Sequence, residues 1–144
     1  MAIMDNLTAF SDEQAITTDA PSTNYIDTQV NDVPLGNHEF HPIVITIDET
    51  FVGGTSLQVL LNTSDQADFT GGSTRTIAAS ASIPVADLAV PADKIVLQMP
   101  AVEYDRYIRL GYNVTGTFTA GKVSAAVAAN ADVYKSVPRG YVTA

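Results

Sequence analysis

The chain has 144 residues, of which 46% are hydrophobic, and it carries a formal net charge of −9 at pH 7. A domain of this size buries roughly 68–70% of its unfolded surface, so it needs no disulfide or metal to be stable. Because the chain has no cysteine, zinc fingers, thiol nucleophiles and disulfide frameworks are excluded.

Charge is distributed unevenly along the chain. Eleven Asp or Glu residues and no Lys or Arg precede Arg75, whereas seven Lys or Arg and five Asp or Glu residues occur from Arg75 onward. Phosphate backbones and anionic lipids repel an acidic chain that has no basic stripe, so we expect neither nucleic acid nor membrane as a partner. The acidic part is either a solvated surface or a face that meets a basic patch on another protein.

The first 24 residues lack apolar alternation and are rich in Thr, Ser, Asp and Ala. Ser11 and Gln14 have the spacing of a capping box, but Pro21 would stop any helix that begins there. No secretion signal is evident, and no apolar run approaches the ~18 residues that cross a bilayer. We predict a loosely structured amino-terminal arm over residues 1–24 and one β-sandwich domain over residues 25–144.

Short strand signals separated by turn residues follow the predicted arm. They lie at 25–30, 43–47, 56–62, 74–80, 94–99, 105–114 and 122–129. Gly53-Gly54 predicts a hairpin-type turn, and Val85–Leu88 one helical turn. The long connections at 31–42, 63–73 and 80–93 favour crossings between sheets. This pattern predicts an all-β fold, a jelly-roll-like antiparallel β-sandwich.

Few residues are arranged for catalysis or metal binding. His38 and His41 flank Glu39 without a third ligand nearby in sequence, which is a weak metal motif. Asp65 and Asp68 share a loop, where aspartates are typical turn residues. No serine lies in a nucleophile elbow, and no glycine pair is followed by Lys-Ser/Thr. We therefore expect no enzymatic activity, catalytic residue, metal or cofactor.

A strand near the carboxyl-terminal end combines tyrosine and arginine, which are enriched at protein interfaces. Alternation over residues 105–114 places Tyr112 inward, with Tyr107 and Arg109 outward. These outward residues either cover the sheet or contact a partner. The residues predicted for a partner interface are Phe10, Asp12, Phe69, Tyr104, Arg106, Tyr107 and Arg109.

Residues 4–27 read MDNLTAFSDEQAITTDAPSTNYID, and residues 105–127 read DRYIRLGYNVTGTFTAGKVSAAV. Both stretches resemble the capsid cement (decoration) proteins of tailed bacteriophages. Their best anchors are Ser-Asp-x-Gln, which starts at Ser11, and Arg-Tyr-Ile-Arg-Leu, which starts at Arg106. The resemblance extends over most of the chain and carries no catalytic signature.

The resemblance implies a structural role and a location. Members of this family are small jelly-roll-like sandwiches on the outer surface of the virion capsid, made in the host cytoplasm. They form homo-oligomers, often dimers or trimers, that bind neighbouring subunits of the major capsid protein. The alternative is a carbohydrate- or receptor-binding sandwich of a phage tail or secreted enzyme, with Phe69, Tyr104 and Tyr107 as contact residues.

Overall fold

The alternating runs form strands of two antiparallel sheets. A computed structural model of the protein describes residues 8–30, 33–35, 42–70, 73–92 and 94–128. Within these residues the strands are β1 (Ala9–Ala15), β2 (Ala20–Pro21), β3 (Ile26–Asp27), β4 (Val33–Leu35), β5 (Pro42–Gly53), β6 (Ser56–Ser64), β7 (Arg75–Ala79), β8 (Ile83–Pro84), β9 (Ile95–Gln98), β10 (Val102–Tyr104), β11 (Tyr107–Thr115) and β12 (Phe118–Val127).

Strand pairing divides these elements between two main sheets. The first sheet has the order β1-β12-β5-β9. In the second sheet β11 and β6 are central, with β2 and β3 paired to β11 and with β7 and β8 paired to β6. β4 and β10 form a separate pair. Every pairing is antiparallel, which confirms the predicted all-β sandwich.

The core lies between the inward faces of the two sheets. The inward residues alternate along β5, β6, β11 and β12, as the sequence predicts, and they include Ile43, Ile45, Leu57, Val59, Leu61, Ile108, Leu110, Tyr112 and Val123. Fully burying one large aliphatic side chain contributes about 1.5–3 kcal/mol. The Tyr112 hydroxyl lies 2.7 Å from the Ser11 hydroxyl, so its polar end is satisfied inside the core.

The glycine pair at the end of β5 does not form the predicted hairpin turn. β5 and β6 belong to different sheets, so Gly53 and Gly54 carry the chain from the first sheet to the second. Their φ angles are +77° and +60°, values that glycine adopts without steric cost. Gly116 makes the return crossing, and a Cβ there would lie 3.0 Å from the Gly54 Cα. The sequence shows a turn here but not which strands pair.

The longer connections agree with the prediction in part. The segment 80–93 crosses from the second sheet to the first and includes the predicted helical turn, a 3₁₀ helix at Val85–Leu88. The connection 63–73 instead joins β6 and β7, which pair with each other in one sheet. The segment 31–42 lies largely outside the described residues. No helix in the described part of the chain is long and apolar enough to cross a membrane.

Within the predicted loosely structured arm of residues 1–24, Ala9–Ala15 form a strand instead. β1 pairs with β12, and both Phe10 and Ile16 are fully buried. The register shifts twice along β1, and Glu13 has a φ of +45°. Such a bulge breaks the two-residue alternation on which strand prediction depends. The described part of residues 1–24 therefore includes an integral strand of the first sheet.

This placement predicts the effect of truncating Phe10. We expect Phe10→Ala to lower the free energy of unfolding by about 3–5 kcal/mol, because the substitution removes a buried ring and leaves a cavity. The exposed Asp12 of the same strand provides the control, and Asp12→Ala should change the free energy by no more than about 0.5 kcal/mol. Urea denaturation measures both values. Equal, small effects of the two substitutions would show that this segment does not contribute to the core.

Candidate partner-binding surface

Four of the seven predicted interface residues lie together on the second sheet. Ile108 and Leu110 of β11 point into the core, so Tyr107 and Arg109 point outward. β3 lies beside β11, with Asp27 opposite Tyr107 in the register. The loop after β6 adds a further aromatic ring. We call the resulting set the aromatic–arginine surface: Tyr25, Asp27, Phe69, Arg106, Tyr107 and Arg109.

Its aromatic rings and guanidinium groups form a continuous row of contacts. The Arg109 Cζ lies 4.1 Å from the centre of the Phe69 ring. The Phe69 and Tyr25 ring centres are 6.4 Å apart, and those of Tyr25 and Tyr107 are 5.4 Å apart in an edge-to-face arrangement. At the other end, the Arg106 Cζ lies 5.0 Å from the centre of the Tyr107 ring. All four separations are within the ranges of attractive aromatic and cation–π contacts.

Arg106 is paired with a carboxylate in addition to its ring contact. Its Nε and Nη2 donate hydrogen bonds of 2.8 and 3.0 Å to the two carboxylate oxygens of Asp27. These bonds hold the pKa of Asp27 below its ordinary value and raise the pKa of Arg106. The backbone N–H of Gln29 also donates to Asp27, at 2.8 Å. The pair fixes β3 against β11 and orients the guanidinium over Tyr107.

Arg109 has no comparable pairing. Its guanidinium makes no hydrogen bond or ion pair with any described residue, and its Nε is buried without a partner. Burial lowers the pKa of Arg109, and the negative charge of Asp68 opposes that shift. An unpaired buried donor on a charged group costs free energy. The ring of Phe69 is its main described contact.

Phe69 reaches its position through an unusual backbone conformation. Its φ is +56°, a left-handed value that few residues other than glycine adopt. The preceding Asp68 accepts a hydrogen bond of 3.2 Å from the backbone N–H of Thr70, which closes an Asx-type turn around Phe69. The ring is 7% exposed and lies beneath Arg109 and beside Tyr25. The loop therefore places an aromatic ring against the face of the Arg109 guanidinium group.

Phe10 and Tyr104 do not belong to any surface, so their prediction as interface residues was wrong. Both are 0% exposed in the core. The Tyr104 hydroxyl donates a 2.8 Å hydrogen bond to the carbonyl of Pro100, and burial raises the Tyr104 pKa to about 12. A tyrosine can be buried where its hydroxyl finds such a partner. Asp12 is exposed, but it lies on β1 of the first sheet rather than on the face that β3 and β11 form in the second.

Two members of the surface were not identified from sequence. Tyr25 is 46% exposed and contacts two other rings, and Asp27 neutralises Arg106. Asp27 lies 79 positions from Arg106 in the chain. The opposite charges of Asp27 and Arg106 are the signal that could have linked them, but that signal becomes useful only once β3 is known to pair with β11.

A shallow groove of about 310 Å³ continues the surface beyond Arg109. Its floor is at Gly111, where the missing side chain leaves space between β6 and β11. A Cβ at Gly111 would lie 2.9 Å from the Asn62 Nδ2. Asp19 also lines the groove, and its Oδ1 accepts a 2.6 Å hydrogen bond from the backbone N–H of Val114. The groove thus has a cationic and an anionic side chain on its walls.

No cluster of three or more His, Cys, Asp or Glu side chains in the described ranges is arranged to hold a metal ion. His38 and His41, the residues of the weak metal motif, lie outside those ranges. The absence of a metal, cofactor or catalytic residue therefore stays a prediction. What the described residues do provide is a surface of stacked rings and oriented charges.

The described residues form an antiparallel all-β sandwich that carries the aromatic–arginine surface on its second sheet. A family model described as Bbp16 matches residues 10–127. The match begins within β1, ends at the last residue of β12 and covers well over half of the chain, so the protein belongs to the Bbp16 family. No curated protein matches the chain. The matched region contains all six residues of the aromatic–arginine surface.

The Asp27–Arg106 pair predicts a pH dependence. The folded-state pKa of Asp27 is depressed, so the pair contributes above the ordinary carboxyl pKa and is lost as the pH falls through the folded-state value. We expect Arg106→Gln to move the Asp27 titration midpoint upward, toward the ordinary aspartate value. Carbon-detected NMR of the side-chain carboxyl measures this midpoint. Lys122→Gln removes a positive charge from the other sheet and should leave it unchanged; an unchanged midpoint in Arg106→Gln would contradict the pairing.

Proposed function

We propose that the protein is a structural virion component that binds the outside of a tailed-phage head and cements neighbouring major capsid subunits. The aromatic–arginine surface is the observation that carries the proposal. Tyrosine and arginine dominate the binding energy of protein interfaces, and here they are stacked on one sheet face. Because these contacts exist before binding, little side-chain freedom is lost when a partner arrives.

The segments that resemble cement proteins also build this surface. Residues 4–27 contain β1, β2 and Tyr25, and they end at Asp27. Residues 105–127 contain β11 with its Arg-Tyr-Ile-Arg-Leu anchor, and they end with β12. The two stretches meet where Asp27 binds Arg106. The resemblance and the surface therefore support the same role through five shared residues, and Phe69 is added from the loop after β6.

Cementing requires that the protein bind the assembled shell better than isolated subunits. A ligand selective for one state stabilises that state by about 2.7 kcal/mol per site at a hundredfold excess over Kd. A dimer or trimer could hold two capsid subunits at once, and avidity would then strengthen modest individual contacts. The excess of acidic residues before Arg75 suits a partner with basic character.

The arrangement of the aromatic side chains favours this function over a carbohydrate-binding one. A glycan platform needs coplanar exposed rings, but Tyr104 and Phe69 are buried. The Tyr25 and Tyr107 rings meet at 82°, edge to face, so they do not form a flat platform. A protein partner can fit such a stepped surface with side chains of its own.

Co-sedimentation with expanded phage heads that lack this protein tests the proposal. The purified full-length chain should bind the heads saturably and raise their disruption temperature, because it binds the intact shell selectively. No co-sedimentation at either low or moderate salt would contradict the cement function.

A surface variant locates the binding face. We expect Tyr107→Ala to raise the Kd for heads by roughly thirtyfold, which corresponds to about 2 kcal/mol, the threshold of an interface hot spot. Val96, 44% exposed on the first sheet, provides the control, and Val96→Ala should leave the Kd unchanged. Thermal unfolding checks that both variants are folded. A loss of binding in Val96→Ala with normal binding in Tyr107→Ala would place the contact on the other sheet.

A further inference from the structure

Arg109 differs from the cations whose partners the structure shows. Three cations have a carboxylate oxygen close to a side-chain nitrogen. The nitrogen–oxygen distances are 3.3 Å for Arg75 and Asp105, 2.8 Å for Arg106 and Asp27, and 3.4 Å for Lys122 and Glu49. Arg109 makes no ion pair or hydrogen bond within the described part of the chain. A guanidinium group presents several N–H donors in a planar fork that matches a carboxylate. At Arg109 the fork has no described acceptor.

The guanidinium of Arg109 is nevertheless held in place. Phe69 supports its face at 4.1 Å, and the side chain is partly buried beside the groove. A stacked and partly dehydrated arginine loses less freedom and less hydration on binding than an exposed one. The guanidinium is therefore preorganised to receive an anion.

The groove over Gly111 restricts what that anion can be. Its volume of about 310 Å³ lies at the lower end of the range for ligand pockets and is sufficient for an inserted side chain. Asp19 on its wall and the negative charge of Asp68 near Arg109 disfavour multiply charged groups such as phosphate more than a singly charged carboxylate, and the net charge of −9 adds to that repulsion. Because Arg109 and Asp19 carry opposite charges, they would also orient a bound group. Its carboxylate would lie toward Arg109 and any hydrogen-bond donor toward Asp19.

We propose that the groove over Gly111 accepts an aspartate or glutamate side chain of the partner protein, whose carboxylate binds the guanidinium of Arg109. This inference rests on the proposed function, in which that partner is the capsid subunit. Charge complementarity identifies the occupant, since a carboxylate supplies the acceptors that Arg109 lacks. Leu60 and Gly111 then contact the methylene groups of the inserted side chain.

Binding of full-length variants to expanded heads tests this site. We expect Arg109→Gln to raise the Kd by roughly thirtyfold or more, because the partner carboxylate is left without its charged donor. Arg109→Lys keeps the charge but loses the fork and the stacking on Phe69, so it should restore only part of the affinity. Lys122→Gln removes one positive charge from the other sheet and should bind like the wild type.

Gly111→Ala tests the groove without changing any charge. A methyl group there would lie 2.9 Å from the Asn62 amide nitrogen and would fill the floor of the groove. We expect weaker head binding with a normal melting temperature, because the end of the Asn62 side chain can shift. A melting temperature equal to that of the wild type in each variant excludes misfolding as the cause.

The outcomes separate this inference from the proposed function. Wild-type binding together with undiminished binding of Arg109→Gln would overturn the carboxylate site and leave the cement function standing. Absence of wild-type binding would remove the function and this partner with it. Sedimentation velocity distinguishes a capsid subunit from a second copy of this chain as the source of the carboxylate. If Arg109→Gln dissociates an oligomer of this protein, the carboxylate comes from a second copy, and its assignment to the capsid subunit is wrong.

Discussion

The two-residue alternation of β11 is the constraint on which the other features depend. Ile108 and Leu110 are fully buried between the sheets, and Leu110 lies opposite Leu61 in the register. A slip of one residue would move Tyr107 and Arg109 into the core and expose the apolar side chains. The core therefore fixes which side chains form the aromatic–arginine surface, and β3 and β6 flank them in a set register.

Arg106, directly before β11, and Arg109, within β11, have different environments. Arg106 is paired with Asp27, so its charge is balanced inside the molecule, and in the proposed interface it contributes mainly shape and stacking. Arg109 stacks on Phe69 but has no described acceptor. A surface on which one guanidinium is paired and the other lacks a hydrogen-bond acceptor can be specific, because only a partner with an acceptor at the right place satisfies the second.

Sequence patterns predicted what depends on local periodicity. The bodies of β5, β6, β11 and β12, their inward faces and the 3₁₀ turn followed from alternation and turn residues. β1 was missed because the bulge near Glu13 disrupts alternation. Tyr104 was placed on the surface because a sequence cannot show that its hydroxyl reaches the Pro100 carbonyl. Tyr25 and Asp27 were missed because only long-range pairing brings them to β11.

The net negative charge and the unpaired Arg109 act at different distances. Charges on exposed groups are screened beyond about 8 Å at physiological ionic strength, so in the proposed complex the excess of acidic residues acts mainly as the partner approaches and favours a basic surface. In that complex, contact with the partner removes water from the groove, and the guanidinium of Arg109 then selects the side chain that fits. A basic partner surface that also presents one carboxylate satisfies both conditions. An acidic peptide would be repelled before contact, and a purely basic surface would leave Arg109 without an acceptor.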